Sequence, residues 1–253
     1  MKIGLALGGG SARGYAHVGV IKALERHSIH PDYVAGCSMG ALIGALYASG
    51  IPINRLEELA INVTPKQWMD LTISRKGIMS GKKLESIITT LTGGQNIEDM
   101  PIPFAAIAAD VVSYKPYIFT KGPVSTAVRA STAIPAVFEP VYLNDKILVD
   151  GGFVDIVPAD MLTEMGAGYT IAVDVGFSSV TYRPTNMVDI LLLSIDTLQK
   201  QLKQLKKIKA DVIIRPDLSG IRPNQFDRAK DCIEIGEDTA EKILSRGEIA
   251  LRQ

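Results

Sequence analysis

Short apolar runs, each bounded by glycine or a polar turn, alternate with amphipathic segments along most of the chain. Lys2 to Leu7 and Tyr33 to Ala35 are too short for helices and predict buried strands. Helical periodicity follows each run, first from about Tyr15 to Arg26. This alternation predicts an α/β fold of three α/β/α layers, in which helices cover both faces of a mostly parallel central sheet.

The same patterns predict the remaining elements. Further strands are predicted at Phe104 to Val112, Tyr114 to Thr120, Lys146 to Val149, Tyr169 to Val175 and Val212 to Arg215. Further helices are predicted after Ser38 and at Val157 to Met165, Asn186 to Lys209 and Asp227 to Leu251. Residues 54–92 interrupt the alternation as a mostly helical insertion with a loop at Gly77 to Gly81, and such insertions often cover an active site. We predict one domain over residues 1–253, with 186–253 as a helical extension packed on it.

Composition narrows the function classes. The chain is 47% hydrophobic and carries 27 basic and 27 acidic residues, so it lacks the positive charge typical of nucleic-acid binding. It has 2 cysteines and no His/Cys/Asp cluster with ligand spacing, which predicts neither a disulfide framework nor a metal or other cofactor. The start resembles a strand more than a signal peptide, and no run is long enough to span a membrane. We therefore expect a cytoplasmic protein, and peripheral contact with the inner face of the membrane stays open.

The strongest candidate for chemistry is the segment Gly36 to Gly40, which has the pattern G-x-S-x-G between a predicted strand and a predicted helix. In that context the pattern indicates a nucleophile elbow, a sharp turn that exposes the hydroxyl of Ser38. Gly36 and Gly40 would let neighbouring backbone come close. The alternative is the start of a helix rich in small residues.

A glycine-rich loop, Gly8-Gly9-Gly10-Ser11-Ala12-Arg13-Gly14, follows the first strand. A dinucleotide motif would need glycine at the position of Arg13, and a P-loop would need lysine and Ser/Thr directly after Gly14. Two interpretations remain: a tight turn, or a set of backbone N–H donors for an oxyanion with Arg13 nearby.

The general base that would activate Ser38 is constrained by the position of the histidines. All 3 histidines, His17, His27 and His30, precede Ser38, so the order Ser–Asp–His is excluded. The base is then either His17 or a carboxylate whose ordinary pKa, about 3.9, would have to be raised by burial.

Asp150 is the favoured carboxylate because Gly151 and Gly152 follow it and allow close backbone approach. Asp110, Asp155 and Asp174 are the fallback candidates. Gly8, Ser38 and Asp150 each follow a predicted strand, and ligand sites in parallel sheets lie beyond the carboxyl ends of the strands.

Four blocks together carry a resemblance to a known family: Gly8 to Gly14, Gly36 to Gly40, Ala130 to Pro140, and Asp150 to Gly152. In this order, within residues 1–175, they resemble the patatin-like phospholipases, specifically small bacterial members similar to the catalytic domain of neuropathy target esterase. The resemblance implies a patatin-like fold and a Ser–Asp dyad, with Ser38 as nucleophile and Asp150 as base.

The same resemblance implies an oxyanion site at Gly8, Gly9 and Gly10, with Arg13 and Gly14 beside it. Gly36, Gly40, Gly151 and Gly152 would support the two catalytic residues. Block Ala130 to Pro140 is expected to give structural support to the site.

The predicted function is that of a serine lipid acyl hydrolase acting on a phospholipid, a lysophospholipid or another carboxylic ester. Two alternatives stay open: a lipid-binding regulatory protein without turnover, and an acyltransferase or thioesterase with the same dyad. The predicted partner is a lipid or acyl-ester substrate. The helix Asn186 to Lys209 is apolar in its first half and lysine-rich in its second, so it either lies on anionic lipid or packs on the core with a solvated lysine face.

Overall fold

A computed structural model of the protein describes residues 1–72, 74–176 and 183–247. Its strands are β1 (Ile3–Leu7), β2 (Tyr33–Cys37), β3 (Gly77–Met79), β4 (Phe104–Asp110), β5 (Lys115–Phe119), β6 (Ala136–Phe138), β7 (Val141–Leu143), β8 (Lys146–Asp150), β9 (Tyr169–Val173) and β10 (Val212–Ile214). Its α-helices are α1 (Ala16–Arg26), α2 (Met39–Ala48), α3 (Ile53–Asn62), α4 (Pro65–Trp68), α5 (Lys82–Leu91), α6 (Val124–Ser131), α7 (Ala159–Met165), α8 (Met187–Leu205) and α9 (Ala229–Ser245).

The central sheet has the strand order β10-β9-β1-β2-β4-β8-β7, and β5 also pairs with β4. The strands from β10 to β4 are parallel, whereas β5 and β8 run antiparallel to β4, and β7 runs antiparallel to β8. This is the mostly parallel α/β sheet that the alternating pattern predicts, so the predicted fold class is confirmed.

The two faces of the sheet bury side chains of different size. In β1, Leu5 and Leu7 belong to the large apolar cluster that includes α1, α2 and α9. Ala6 lies between them and belongs to a second cluster with Leu162 of α7. Successive side chains of a strand point to opposite faces, so β1 separates two layers of helices.

The helices α1 and α9 pack closely because each contributes a glycine to the contact. A methyl group on Gly19 would collide with the Ile233 carbonyl, and one on Gly236 would collide with the Ala16 carbonyl. The C-terminal helix α9 therefore packs against α1, the helix that follows the glycine-rich loop.

The prediction of a loop at Gly77 to Gly81 is wrong in its first half. Residues Gly77–Met79 form β3, which pairs in parallel with β6 (Ala136–Phe138) within the block Ala130 to Pro140. Each of these strands has only three residues and its partner is remote in sequence, so local periodicity does not predict them.

Several predicted ends also shift. The strand from Tyr169 ends at Val173, and the helix predicted to reach Lys209 ends at Leu205, where Lys206 has extended backbone. The closing helix begins at Ala229 after a 3₁₀ turn, and its predicted end at Leu251 lies outside the described residues.

Candidate active site

Strand register brings Ser38 and Asp150 to the same level of the sheet. Cys37 of β2 pairs with Ile107 of β4, which puts Ser38 beside Ala108. Asp150 of β8 pairs with Ala108 on the same edge of β4, because the opposite edge pairs with β5 from Ala106 to Asp110. The carboxyl ends of β2 and β8 therefore meet along one edge of β4, which brings the side chains of Ser38 and Asp150 together.

The prediction that Asp150 follows the carboxyl end of a parallel strand is wrong. Its strand β8 runs antiparallel to β4, so Asp150 does not lie at the carboxyl end of a parallel strand. Asp150 reaches Ser38 because β8 runs back along β4, from Leu148 opposite Asp110 to Asp150 opposite Ala108. Strand direction cannot be told from an apolar run, because the side-chain period is the same in both directions.

Ser38 occupies a strained turn between β2 and α2. Its backbone has φ 52° and ψ −124°, a region that residues other than glycine rarely adopt. A methyl group on Gly36 would lie 2.5 Å from the Gly40 carbonyl oxygen, and one on Gly40 would collide with the Leu7 carbonyl. Both glycines are therefore needed to pack the start of α2 against β1 and β2.

The hydroxyl of Ser38 donates a hydrogen bond to Asp150 Oδ2 at 2.6 Å. The other carboxylate oxygen, Oδ1, accepts from the Gly152 N–H at 2.8 Å, which fixes the orientation of the carboxylate. Asp150 is 2% exposed. Burial raises its pKa to about 6 although both hydrogen bonds lower it, so this carboxylate is far more basic than one in water.

The block Ala130 to Pro140 touches both residues of this pair. Ser131 Oγ accepts from the Ser38 N–H at 2.9 Å and donates to the Ile107 carbonyl at 2.6 Å. Two residues later, the Ala133 carbonyl accepts from the Asp150 N–H at 2.9 Å. Sequence reasoning expected structural support from this block but did not single out Ser131, because the contact forms only when the end of α6 meets β2 and β4.

His17, the other candidate base, has a different partner. Its Nε2 lies 2.7 Å from the Gly8 carbonyl oxygen and must donate to it, since a carbonyl only accepts. The ring is fully buried, and burial lowers its pKa to about 4, so it is neutral near pH 7. The interpretation of His17 as the base is therefore wrong, and the residue instead holds the glycine-rich loop.

The fallback carboxylates are also engaged elsewhere. Asp110 accepts from the Ser113 hydroxyl, Asp155 pairs with Lys206, and Asp174 pairs with Lys203. Of the acidic side chains named in the sequence analysis, Asp150 is the one bonded to Ser38.

The backbone N–H groups of the glycine-rich loop and of the elbow differ in whether they are hydrogen-bonded. The Gly8 N–H donates to the Val173 carbonyl at 3.0 Å, and the Gly9 N–H donates to the Ile156 carbonyl at 2.9 Å. Within the described part of the chain, the N–H groups of Gly10 and Met39 have no hydrogen-bond partner.

The loop lies directly against the elbow. A methyl group on Gly9 would lie 3.3 Å from Ser38 Cβ, and one on Gly14 would collide with the Met39 side chain. The absence of a side chain at both positions therefore permits this close approach, whatever their N–H groups do.

Arg13 lies in the same crevice but is tied to the C-terminal part of the chain. Its side chain is 1% exposed, and Nε donates to the Ile221 carbonyl at 2.8 Å. One terminal nitrogen lies 3.9 Å from Asp196 of α8, and the other is buried and has no hydrogen-bond partner among the described residues. The assignment of Arg13 to the oxyanion site stays a prediction.

An apolar cavity opens beside Ser38. Its empty space is about 950 Å³, open mouth included. Apolar side chains from α2, α3 and α5 line it, among them Leu42, Leu46, Leu56, Leu59, Leu84 and Ile88. Trp68 closes one wall, with its ring stacked at 6.4 Å from Phe138 and edge-on at 5.1 Å from Phe226. Such a cavity suits an aliphatic chain whose reacting end lies at the serine.

Two absences concern residues 1–72, 74–176 and 183–247. This part of the chain contains no group of three or more His, Cys, Asp or Glu residues arranged to hold a metal ion. It also contains no helix with the length and apolar character needed to cross a membrane.

Comparison with known proteins places this geometry in context. A family model described as patatin-like phospholipase matches residues 5–163. An NTE family protein of Mycobacterium tuberculosis is 38% identical over 183 residues, which cover 70% of this chain and 50% of that protein. The lysophospholipase nte1 of Aspergillus fumigatus is 29% identical over 286 residues, covering 98% of this chain and 19% of its own length. The chain thus spans about half the length of the first relative, and much less of the second.

Among solved structures, VipD from Legionella pneumophila superposes with a TM-score of 0.65 at 12% sequence identity. The match covers 97% of this chain and 66% of VipD. At this identity the likeness concerns the fold alone.

Proposed function

This chain belongs to the patatin-like phospholipase family, and we propose that it is a serine hydrolase that cleaves the acyl ester bond of a lipid. The observation that carries the proposal is the 2.6 Å hydrogen bond to the buried Asp150 from Ser38, which also lines an apolar cavity. A serine hydroxyl needs a partner that takes its proton, and Asp150 is in position to do so.

The reaction proceeds through an acyl-enzyme. Ser38 Oγ attacks the ester carbonyl carbon while its proton passes to Asp150 Oδ2, and a tetrahedral oxyanion forms. When the intermediate collapses, Asp150 returns the proton to the leaving alcohol oxygen, and the acyl group stays on Ser38. Asp150 then takes a proton from water, whose oxygen attacks the acyl carbonyl. The collapse of the second intermediate returns this proton to Ser38 and releases the fatty acid.

The oxyanion donors that we assign are the N–H groups of Gly10 and Met39. Both lack a partner in the described part of the chain, whereas those of Gly8 and Gly9 are already bonded. Met39 begins α2, so the positive end of the helix dipole adds to the stabilisation of the developing charge. Removing one such donor typically costs about 3 kcal/mol of transition-state stabilisation.

The substrate class follows from the cavity. Its wall is built from leucine, isoleucine and aromatic side chains, so it favours a long acyl chain over a short one. The lysophospholipase named among the relatives supports a phospholipid or lysophospholipid as the source of this chain.

The decisive experiment compares p-nitrophenyl esters of increasing acyl length with wild type, Ser38→Ala and Asp150→Asn. Each protein is checked for folding by circular dichroism, and Asp145→Asn, a change of an exposed carboxylate, serves as the matched control. We expect wild type and the control to prefer longer chains and both dyad variants to lose nearly all activity. Full activity in Ser38→Ala, or an inert wild type at every chain length, would refute the proposal.

Released products then separate hydrolysis from acyl transfer. We expect lysophospholipid incubated with wild type to yield free fatty acid, also in the presence of an alcohol acceptor. If the new ester were the main product, the enzyme would be an acyltransferase with the same dyad.

A further inference from the structure

The helix α8 (Met187–Leu205) covers the catalytic crevice with one face. Leu192, Ile195, Asp196 and Gln199 line the space that also contains Ser38 and Asp150. Gln199 lies so close to Gly152 that a methyl group there would collide with its side-chain amide. This face of α8 is therefore part of the site.

The opposite face of α8 is exposed and carries no charge. Its large apolar members are Met187, Ile190, Leu198, Leu202 and Leu205, of which Leu205 is 85% and Met187 79% exposed. The other exposed side chains on this helix are uncharged as well: Ser194, Thr197, Gln201 and Gln204. A solvated helix normally presents charged residues to water, so a face of this composition indicates a binding surface.

The exposed charged residues of the segment 183–209 have one sign. In residues 183–209, the two acidic side chains, Asp189 and Asp196, are 2% and 14% exposed, and they point inward to Asn224 and Arg13. The exposed charged residues of the same range are basic: Arg183 before the helix, and Lys206, Lys207 and Lys209 after it. Lys206 pairs with Asp155 and Asp160, whereas Lys207 and Lys209 have no ion pair in the described part of the chain.

We propose that the outer face of α8 docks on a lipid surface that carries anionic headgroups. The apolar side chains enter the acyl boundary, while Lys207, Lys209 and Arg183 contact the headgroups at the two ends of the helix. The inference rests on the proposed function, because a lipid acyl hydrolase must take its substrate from such a surface. It adds the place of entry: the helix that meets the lipid is also the wall of the crevice that holds Ser38.

A second copy of the chain fits this face less well. Two α8 helices packed in parallel would bring Lys207 and Lys209 of both copies together. Packed antiparallel, the lysines would meet the amino-terminal end of the partner helix, where Arg183 is exposed and Asp189 is buried. Neither arrangement offers an exposed carboxylate in residues 183–209, whereas an anionic lipid surface supplies the opposite charge.

Vesicle flotation tests the proposal with the full chain and ether-linked lipids, which cannot be hydrolysed at an acyl ester. Vesicles of dialkyl phosphatidylcholine alone are compared with vesicles that also contain dialkyl phosphatidylglycerol. We expect wild type to prefer the anionic vesicles and to dissociate with added salt. Leu198→Gln and Leu205→Gln should each weaken binding about tenfold, and Lys207→Gln and Lys209→Gln should each weaken it about fivefold.

The matched control is Ile118→Gln, which removes an exposed apolar side chain from β5 and should bind vesicles like wild type. Equal binding by wild type and both α8 leucine variants would overturn the proposal, as would absence of binding by wild type. A dimer in sedimentation velocity that dissociates on Leu198→Gln, without vesicle binding, would assign the face to self-association instead.

Hydrolysis of soluble p-nitrophenyl butyrate by the same preparations separates the two proposals. We expect the α8 variants to keep the wild-type rate, since the changed side chains lie outside the crevice. Vesicle binding by a protein inert toward every ester would refute the proposed function alone, and hydrolysis without vesicle binding would refute the docking surface alone.

Discussion

At the scale of single residues, the carboxyl group of Asp150 should give ester hydrolysis a simple pH dependence. Its pKa is raised to about 6 by burial, and only the ionised form can accept the proton of Ser38. We expect kcat/KM for a neutral soluble ester to rise through about pH 6 and to level off above it. His17 is neutral down to about pH 4 and adds no second limb in this range.

The measurement is kcat/KM for p-nitrophenyl butyrate across about two pH units on either side of the expected midpoint. Asp145→Asn should reproduce the wild-type midpoint, because that carboxylate is exposed in the turn between β7 and β8. A profile flat down to about pH 4 would show that a carboxylate with an ordinary pKa, or another group, is the base.

Ser131 is predicted to affect the reaction rate only by holding Ser38 in position. In Ser131→Ala, the strained Ser38 loses the acceptor of its N–H, and the Ile107 carbonyl loses a donor. A buried group left unsatisfied costs about 1–3 kcal/mol. We expect kcat to fall about tenfold with little change in KM, because the lining of the apolar cavity is kept.

Steady-state kinetics with a soluble ester checks this, with Ser125→Ala as the control, since Ser125 is also buried on α6. Wild-type kcat in Ser131→Ala would show that the elbow keeps its geometry without this bond. A loss of stability with unchanged kcat would assign Ser131 to folding only.

At the scale of elements, the contact between β1 and the start of α2 depends on Gly40. A methyl group there would collide with the Leu7 carbonyl, which is backbone of the central sheet and cannot move aside cheaply. We expect Gly40→Ala to lower the free energy of unfolding by about 3 kcal/mol, although alanine gains about 1 kcal/mol in helix propensity. Urea denaturation followed by circular dichroism measures the change.

Gly220→Ala is the matched control, because nothing lies within 4 Å of the position that its methyl group would take. Its free energy of unfolding should stay within about 0.5 kcal/mol of wild type. If Gly40→Ala were as stable as this control, the close contact of α2 with β1 would not be required for the fold.

The elements differ in how far the sequence predicts them. Long apolar runs such as Phe104–Asp110 are buried on both faces, so they can be predicted as strands from their own residues alone. The pair β3 and β6 does not stand out, because three residues carry no usable period and the partner strand is far along the chain. The antiparallel direction of β8 was equally unpredictable, since it depends on the hairpin with β7 and on pairing with β4.

At the scale of the whole molecule, the charge of Asp150 should cost stability. Its pKa is about 6 in the folded state against 3.8 ordinarily, so the folded protein binds the proton more tightly than the unfolded chain does. Stability from this group is therefore present below pH 3.8 and is lost as pH rises through about 6. We expect Asp150→Asn to be more stable than wild type at pH 7 by about 3 kcal/mol, with the difference vanishing near pH 4.

Urea denaturation of both proteins at a series of pH values provides the test. The depressed pKa of His17 acts in the opposite direction, but it is common to both proteins and cancels in the difference. Asp145→Asn, a change of an exposed carboxylate, is the matched control. A constant difference between Asp150→Asn and wild type at all pH values would show that the carboxylate is not perturbed in the folded state.

Across the molecule, the sequence predicted the residues of the candidate site better than it predicted the contacts that hold them in place. Ser38 and Asp150 stand in short motifs, and the absence of histidine after Ser38 already favoured a carboxylate as base. The roles of Ser131 and His17 depend on contacts between separate elements: one holds the elbow, and the other holds the glycine-rich loop. Such contacts leave no local signal, because a serine or a histidine on a helix has the same pattern whether or not it meets a partner.

The segment from Ser131 to Ala133 bonds to the backbone of both Ser38 and Asp150. The spacing of the reacting groups is thus set within a small module made of β2, β4, β8 and this segment. The helices α3 and α5 and the outer face of α8 lie outside that module. We therefore expect that exchange of these outer parts changes the proposed acyl-length preference or the proposed surface attachment while the geometry of Ser38 and Asp150 is kept. Natural diversification by insertion between α2 and β4 would follow the same route.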